Sequence, residues 1–260
     1  MESIEALLAR LEQLPDYELR PGQIEMARAV ADAIDEGHHL LVEAGTGTGK
    51  TFAYLLPALS RGVRTIVSTS TKALQEQLYN KDLPELERIV GRPIHYAILK
   101  GRRNYVCLFQ IEQIKQNPEK DLFETKEQAA QFQRLLDWLQ ESETGDLEQF
   151  PESLNGLVHE AVTMDSDGCA GRDCPFFERC HLMLARAEAL EAEVVVVNHA
   201  LLIQDLLIRH ASDGSLSLLS PEARLVVIDE AHRLEEAALG ALGVTLSAYR
   251  LILLQKKAAR

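Results

Sequence analysis

Ala44-Gly45-Thr46-Gly47-Thr48-Gly49-Lys50-Thr51 sets alternating glycines ahead of a lysine and a hydroxyl residue, a spacing suited to cradling a chain of phosphates. Glycines let successive backbone N–H groups converge on the β- and γ-phosphates, Lys50 brings them a positive charge, and Thr51 offers its hydroxyl to magnesium. Ala44 stands where the strict pattern has its first glycine. A second segment, Leu225-Val226-Val227-Ile228-Asp229-Glu230-Ala231-His232, ends an apolar run in two carboxylates. Asp229 can hold the magnesium, and Glu230 can orient and deprotonate an attacking water. Alone, such a run is an ordinary strand end with a helix-capping acid. Paired with the phosphate loop, it points to binding and hydrolysis of ATP with magnesium.

Cys107, Cys169, Cys174 and Cys180 are the only cysteines. In a chain whose start, MESIEALLARLEQLP, has no basic leader ahead of an uninterrupted apolar stretch, clustered cysteines favour metal or cluster ligation over disulfides. The same start gives no expectation of secretion or of a membrane partner, and the expected compartment is the cytoplasm. Paired zinc ligands usually have two to four residues between them; four separate Cys169 from Cys174, at the end of that range, and five separate Cys174 from Cys180, beyond it. A zinc site and unligated core cysteines remain alternatives on spacing alone. The net charge of −13 excludes coating of nucleic acid by global electrostatics, so any such contact must be local.

The elements that must position these groups follow from periodicity. Residues 2–13 and 21–36 have helical spacing, with Pro21 suited to a first turn. A strand is expected at Leu40 to Glu43, then a glycine-rich turn and a helix from about Gly49. Thr65 to Ser70 reads as a strand, followed by a helix that Thr71 can cap. Further buried strands are expected at 94–99, 193–198 and 224–229. Strands alternating with helices predict an α/β fold with a mostly parallel sheet covered on both faces. Between residues 99 and 193 the pattern changes to acidic, glutamine-rich helical stretches carrying all four cysteines, the composition of an insertion. The polar, acidic segment 141–152 is expected at the surface.

The Asp229-Glu230-Ala231-His232 wording, the phosphate loop and the cysteine set together resemble superfamily 2 DNA helicases of the XPD-like group, most closely its bacterial DinG/YoaA-type branch. The resemblance covers nearly the whole chain. It implies a RecA-like first motor domain from residues 1–99 and 190–240, interrupted over 100–189 by a mostly helical iron-sulfur domain. Residues 241–260 would then begin an arch or second motor region that is missing. Four thiolates suit a [4Fe-4S] cubane, with Cys107, Cys169, Cys174 and Cys180 as its ligands. The implied nucleotide contacts are Gly45, Thr46, Gly47, Thr48, Gly49, Lys50, Thr51 and Asp229, with Glu230, Asp229 and Lys50 catalytic and Thr51 and Asp229 on magnesium.

Weaker matches go further. Arg20-Pro21-Gly22-Gln23 resembles a motif whose glutamine amide reads the adenine edge; a solvated Gln23 is the ordinary alternative. Ser68-Thr69-Ser70-Thr71-Lys72 resembles a segment that contacts the DNA backbone, and helix capping explains it almost as well. Lys100, Arg102, Arg103 and Tyr105 could grip a single strand, with a solvated turn as the alternative. Asn198-His199 matches a family motif and also suits a strand-to-helix cap. His232 would couple the nucleotide site to DNA.

The resemblance implies an ATP-dependent helicase moving 5′ to 3′ on single-stranded or forked DNA, a monomer with a replication or repair partner. A helicase of this kind needs an arginine from a second motor domain, worth on the order of 10³ or more in hydrolysis rate. The 260-residue chain is therefore expected to be an N-terminal part that binds nucleotide weakly and unwinds nothing alone. The competing expectation is a nucleotide- or redox-regulated DNA-binding module without motor activity, and replacing Lys50 by alanine separates the two.

Overall fold

The computed structural model describes residues 3–13, 17, 18, 20–45, 47–117, 122–243, 248, 251, 252 and 255. The chain divides into two compact units, residues 1–99 with 188–241 and residues 100–187 with 242–260. The expected iron-sulfur insertion falls in the second, and most of 241–260 lies outside the described residues.

The first unit is built on four parallel strands, β1 (Thr65–Thr69), β2 (Tyr96–Ile98), β3 (Val194–Asn198) and β4 (Leu225–Ile228), in the order β2-β3-β1-β4. The run of β-branched residues in β1 and β3 suits strands buried on both faces, and their side chains are buried almost throughout. Strand β4 alternates, leaving Val226 and Ile228 exposed at the edge of the sheet.

The strand expected at Leu40 to Glu43 does not form. These residues carry no strand pairing, and Leu41 is 92 % exposed. An apolar run becomes a strand only when a neighbour completes its hydrogen-bond ladder. Among the described residues none does so.

Helices α1 (Ile4–Glu12), α2 (Pro21–Glu36) and α3 (Lys50–Ser60) flank the phosphate loop. Pro21 lies in the first turn of α2, where its missing N–H is harmless. From Phe52 to Ser60 every residue of α3 is buried, as expected of a helix apolar on all sides. Its Leu55 and Leu56 join Leu7, Leu11, Leu83, Leu86, Val194 and Val196 in one core. Thr71 caps α4 (Lys72–Gln77) by accepting the Leu74 N–H. A π-turn, Leu78–Asp82, then leads into α5 (Leu83–Val90). Such turns widen a helix by one residue and re-aim the side chains within it.

The second unit contains α6 (Leu108–Gln116), α7 (Lys126–Glu141) and α8 (Gly156–Val162), and α9 (His181–Glu191) returns the chain to the first. Helix α7 opens on a capping box between Thr125 and Gln128. Ile111, Leu135, Phe150, Val158 and Val162 form the core of this unit, with Trp138 edge-on to Phe150. The segment expected at the surface over 141–152 instead turns inward at Asp146, Leu147 and Phe150. Two apolar side chains and one ion pair outweigh its polar composition. The first unit resumes with β3, α10 (His199–Ala211), β4 and α11 (Leu234–Leu242). No described helix is long and apolar enough to cross a membrane.

Candidate functional site

The phosphate loop is closed by Gly49, which caps α3 in the left-handed region at φ 78°. A side chain there would overlap the Gln23 amide and come within 3.1 Å of the Tyr17 hydroxyl, so the position needs glycine for space as well as for its backbone. Gln23 is 1 % exposed and donates from Nε2 to the Gly49 carbonyl at 3.1 Å and to the Tyr17 hydroxyl. Arg20 donates to the Gly47 carbonyl. Both residues of the Arg20–Gln23 motif therefore brace the loop. Thr48 also closes on it, donating its hydroxyl to the Gly45 carbonyl at 2.7 Å. Thr46 lies outside the described residues.

Strand β4 brings the acidic pair to the same place. Asp229 extends the β1–β4 ladder by donating its N–H to the Ser68 carbonyl at 2.9 Å. Glu230 then turns sharply into the left-handed region at φ 56°, uncommon for a residue with a side chain. Its carboxylate accepts from Lys50 Nζ at 3.0 Å, while the same ammonium reaches the Ala44 carbonyl at 3.4 Å. The Lys50 ammonium holds the Glu230 carboxyl below its ordinary range. Burial pushes the Asp229 carboxyl upward, against the pull of Lys50. Asp82 is 6 % exposed on the π-turn, where burial raises its carboxyl pKa and the nearby Thr51 hydroxyl pulls it down. Lone pairs of Thr51 and the Asp229 carboxylate thus remain hard oxygen donors for a divalent cation.

The second unit holds the cysteines. All four line one cavity of about 500 Å³, mouth included, together with Phe109, Met164, Phe176, Phe177 and Met183. None of the four is in a disulfide. Cys107 stands at the N-terminus of α6, where burial raises its pKa and the N–H groups of Gln110 and Phe109 lower it. Cys169 accepts the Gly171 N–H at 3.4 Å. The four thiols share a largely apolar cavity, and no three of them come within 4.8 Å of one another.

The DEAD/DEAH box helicase family matches residues 23–141. The ATP-dependent DNA helicase YoaA of Haemophilus influenzae is 37% identical over 92% of this chain. YoaA of Escherichia coli is 39% identical over 94%, and the ATP-dependent helicase DinG of Mycobacterium tuberculosis is 39% identical over 84%. This chain carries a DEAD/DEAH helicase domain. It spans 37% of the length of either YoaA protein and 34% of DinG.

Within this helicase domain the structure joins Lys50 to Glu230 directly and gathers Gly45, Gly47, Thr48, Gly49 and Thr51 around the start of α3. It does not present the basic patch. Lys100 is 2 % exposed and donates to Asp146 at 2.6 Å and Glu148 at 2.7 Å. Arg103 is paired with Glu160, Arg102 lines the cysteine cavity, and Tyr105 is buried with its hydroxyl accepting the Lys100 N–H. Lys100 and Arg103 are neutralised within the fold, and Lys100 and Tyr105 are buried, so a grip on single-stranded DNA is not available to Lys100 and Tyr105. Ser68 and Thr69 are likewise fully buried, leaving Ser70, Thr71 and Lys72 at the surface end of that segment. Asp82 is the site residue that sequence reasoning missed. Its position in an amphipathic stretch gave no signal, and only the π-turn brings it to Thr51.

Proposed function

We propose that this chain is the nucleotide-binding half of the motor of an ATP-dependent DNA helicase that also carries a [4Fe-4S] cluster. The observation that carries the reading is the Lys50–Glu230 contact, which closes the phosphate loop on the DEAH turn with Asp229 beside it. Bound ATP would take over Lys50 through its β- and γ-phosphates and release Glu230. The freed carboxylate then accepts a proton from water as that water attacks the γ-phosphorus and the bond to the β-bridging oxygen breaks. Asp229 and Thr51 would hold magnesium, which supplies charge neutralisation on the phosphates. Cys107, Cys169, Cys174 and Cys180 would hold the cluster. DNA as substrate follows from the names of the YoaA relatives; movement 5′ to 3′ on single-stranded or forked DNA, and a replication or repair setting, follow from the resemblance alone.

The test is twofold. Titration of the chain with a fluorescent ATP analogue and magnesium should show binding that the Lys50→Ala variant loses. The longer protein should hydrolyse ATP faster with single-stranded DNA than without it. Turnover that survives Lys50→Ala would refute the motor reading.

A further inference from the structure

His199 is 1 % exposed at the start of α10, directly after β3 and beside Ser68 of β1. Its Nδ1 lies 2.7 Å from the Ser68 hydroxyl. Its Nε2 is buried and has no hydrogen-bond partner among the described residues. Burial, which disfavours the imidazolium, lowers the pKa of the ring, and the nearby backbone of Glu230 and Asp229 pulls the other way. A carbonyl only accepts, so a ring nitrogen that is to bond to one must be N–H. With that proton on Nε2, Nδ1 would be bare and would accept from the Ser68 hydroxyl.

Ser68 therefore bridges the DEAH turn and the start of α10, its carbonyl accepting the Asp229 N–H and its hydroxyl bonding to His199. A buried donor left without a partner is costly, and a turn held at φ 56° on a glutamate is strained. The two defects are adjacent. A small rotation of the DEAH peptide toward Nε2 would relieve both.

We propose that His199 is a positioning residue for ATP hydrolysis, completing an Nε2–H bond to the backbone carbonyl of Asp229 or Glu230 once nucleotide draws Lys50 away from Glu230. The relay links the hydroxyl segment at the end of β1 to the catalytic carboxylates. It rests on the ATP-site reading above. His199 touches neither phosphate nor water; it sets where the Glu230 carboxylate stands.

Imidazole nitrogen NMR on the 260-residue chain tests this directly. His199→Asn assigns the signal. The ring should be the Nε2–H tautomer, and adding a non-hydrolysable ATP analogue with magnesium should move the Nε2 proton downfield. An Nδ1–H tautomer would overturn the proposal, as would an Nε2 proton that stays still while phosphate-loop amides shift. No shift of any loop amide would overturn the ATP-site reading instead, and this proposal with it. In the longer protein, His199→Gln and Ser68→Ala should each lower kcat, His199→Gln by about 10²-fold as expected for a misplaced group, with analogue affinity unchanged. The double variant should lose little more than His199→Gln alone, because the two act as one unit. Equal losses in affinity and kcat, or additive losses, would sink it.

Discussion

Lys50 and Glu230 stand 180 positions apart in the chain and meet at 3.0 Å, so the ammonium suited to phosphate and the carboxylate suited to water hold each other directly. Each side chain keeps a quarter or more of its surface in water, at 26% and 30% exposure, so the pair adds little stability, within the 0–1 kcal/mol usual for such pairs. Its importance is positional. Lys50→Ala should leave the melting temperature nearly unchanged while lowering affinity for a magnesium–ATP analogue by ~10²-fold, the scale of losing one well-placed charge donor. Calorimetry and analogue titration on the same preparation separate the two effects. A large fall in melting temperature would contradict this account.

The two carboxyls of the turn respond oppositely to acid. Burial raises the Asp229 pKa, so as pH falls Asp229 takes up a proton above the usual aspartate value of 3.8 and stops serving a cation. Magnesium-dependent nucleotide affinity should weaken from above that value, and Asp229→Asn should flatten the profile. Glu230 is depressed below its usual 4.5. Its pairing with Lys50 is therefore fully present above that value and is lost only as pH falls through the lower, folded one. Loss of affinity at the same pH in Asp229→Asn as in the native protein would rule out Asp229 as the group responsible.

Gly49→Ala combines a left-handed backbone, costing an L-residue about 1–2 kcal/mol, with overlap of the Gln23 amide. Chemical denaturation should register a loss of that size or more, and nucleotide affinity should fall with it. Gln23→Ala in the same background should recover part of the stability by removing the overlap. No recovery would mean that the loop is strained for another reason.

Lys100 is held by two carboxylates in a site almost closed to water. Removing it leaves Asp146 buried without its cation, a change of about 3–5 kcal/mol in comparable buried pairs. Urea denaturation of Lys100→Ala should show the second unit destabilised on that scale. Weakened DNA binding at unchanged stability would restore the sequence expectation.

For the cysteines, anaerobic preparations should carry visible absorbance and iron with acid-labile sulfide, both lost in Cys174→Ser. Stoichiometric zinc without iron would replace the cluster by a structural zinc site.

How far the sequence could be read depended on how local each feature is. The loop and the DEAH turn are short segments whose chemistry dictates residue type and spacing, so Lys50, Thr51, Asp229 and Glu230 were legible. The caps at Thr71 and Asn198 were too, since each acts on an N–H three residues on. The strand at Leu40 was not, because a ladder partner cannot be read from the strand itself. Lys100 looked like a free cation because the acids that neutralise it lie 46 and 48 residues away. Asp82 and the His199–Ser68 contact depend on how the π-turn meets α3 and how α10 meets β1, which periodicity does not specify.

The strand order also sets a timetable. Each rung of the sheet joins a residue at or before Ile98 to one at or after Val194, with β3 wedged between β1 and β2. As the chain leaves the ribosome, then, the phosphate loop appears early with no sheet to dock on. The whole cysteine-bearing segment emerges before β3 arrives to close the first unit. Compact segments fold as they emerge, and a folded insert spares β2 and β3 the entropy of closing a long floppy loop. The ATP-binding sheet is begun first and finished last, so damage to the insert during synthesis would be felt as a motor that never closes.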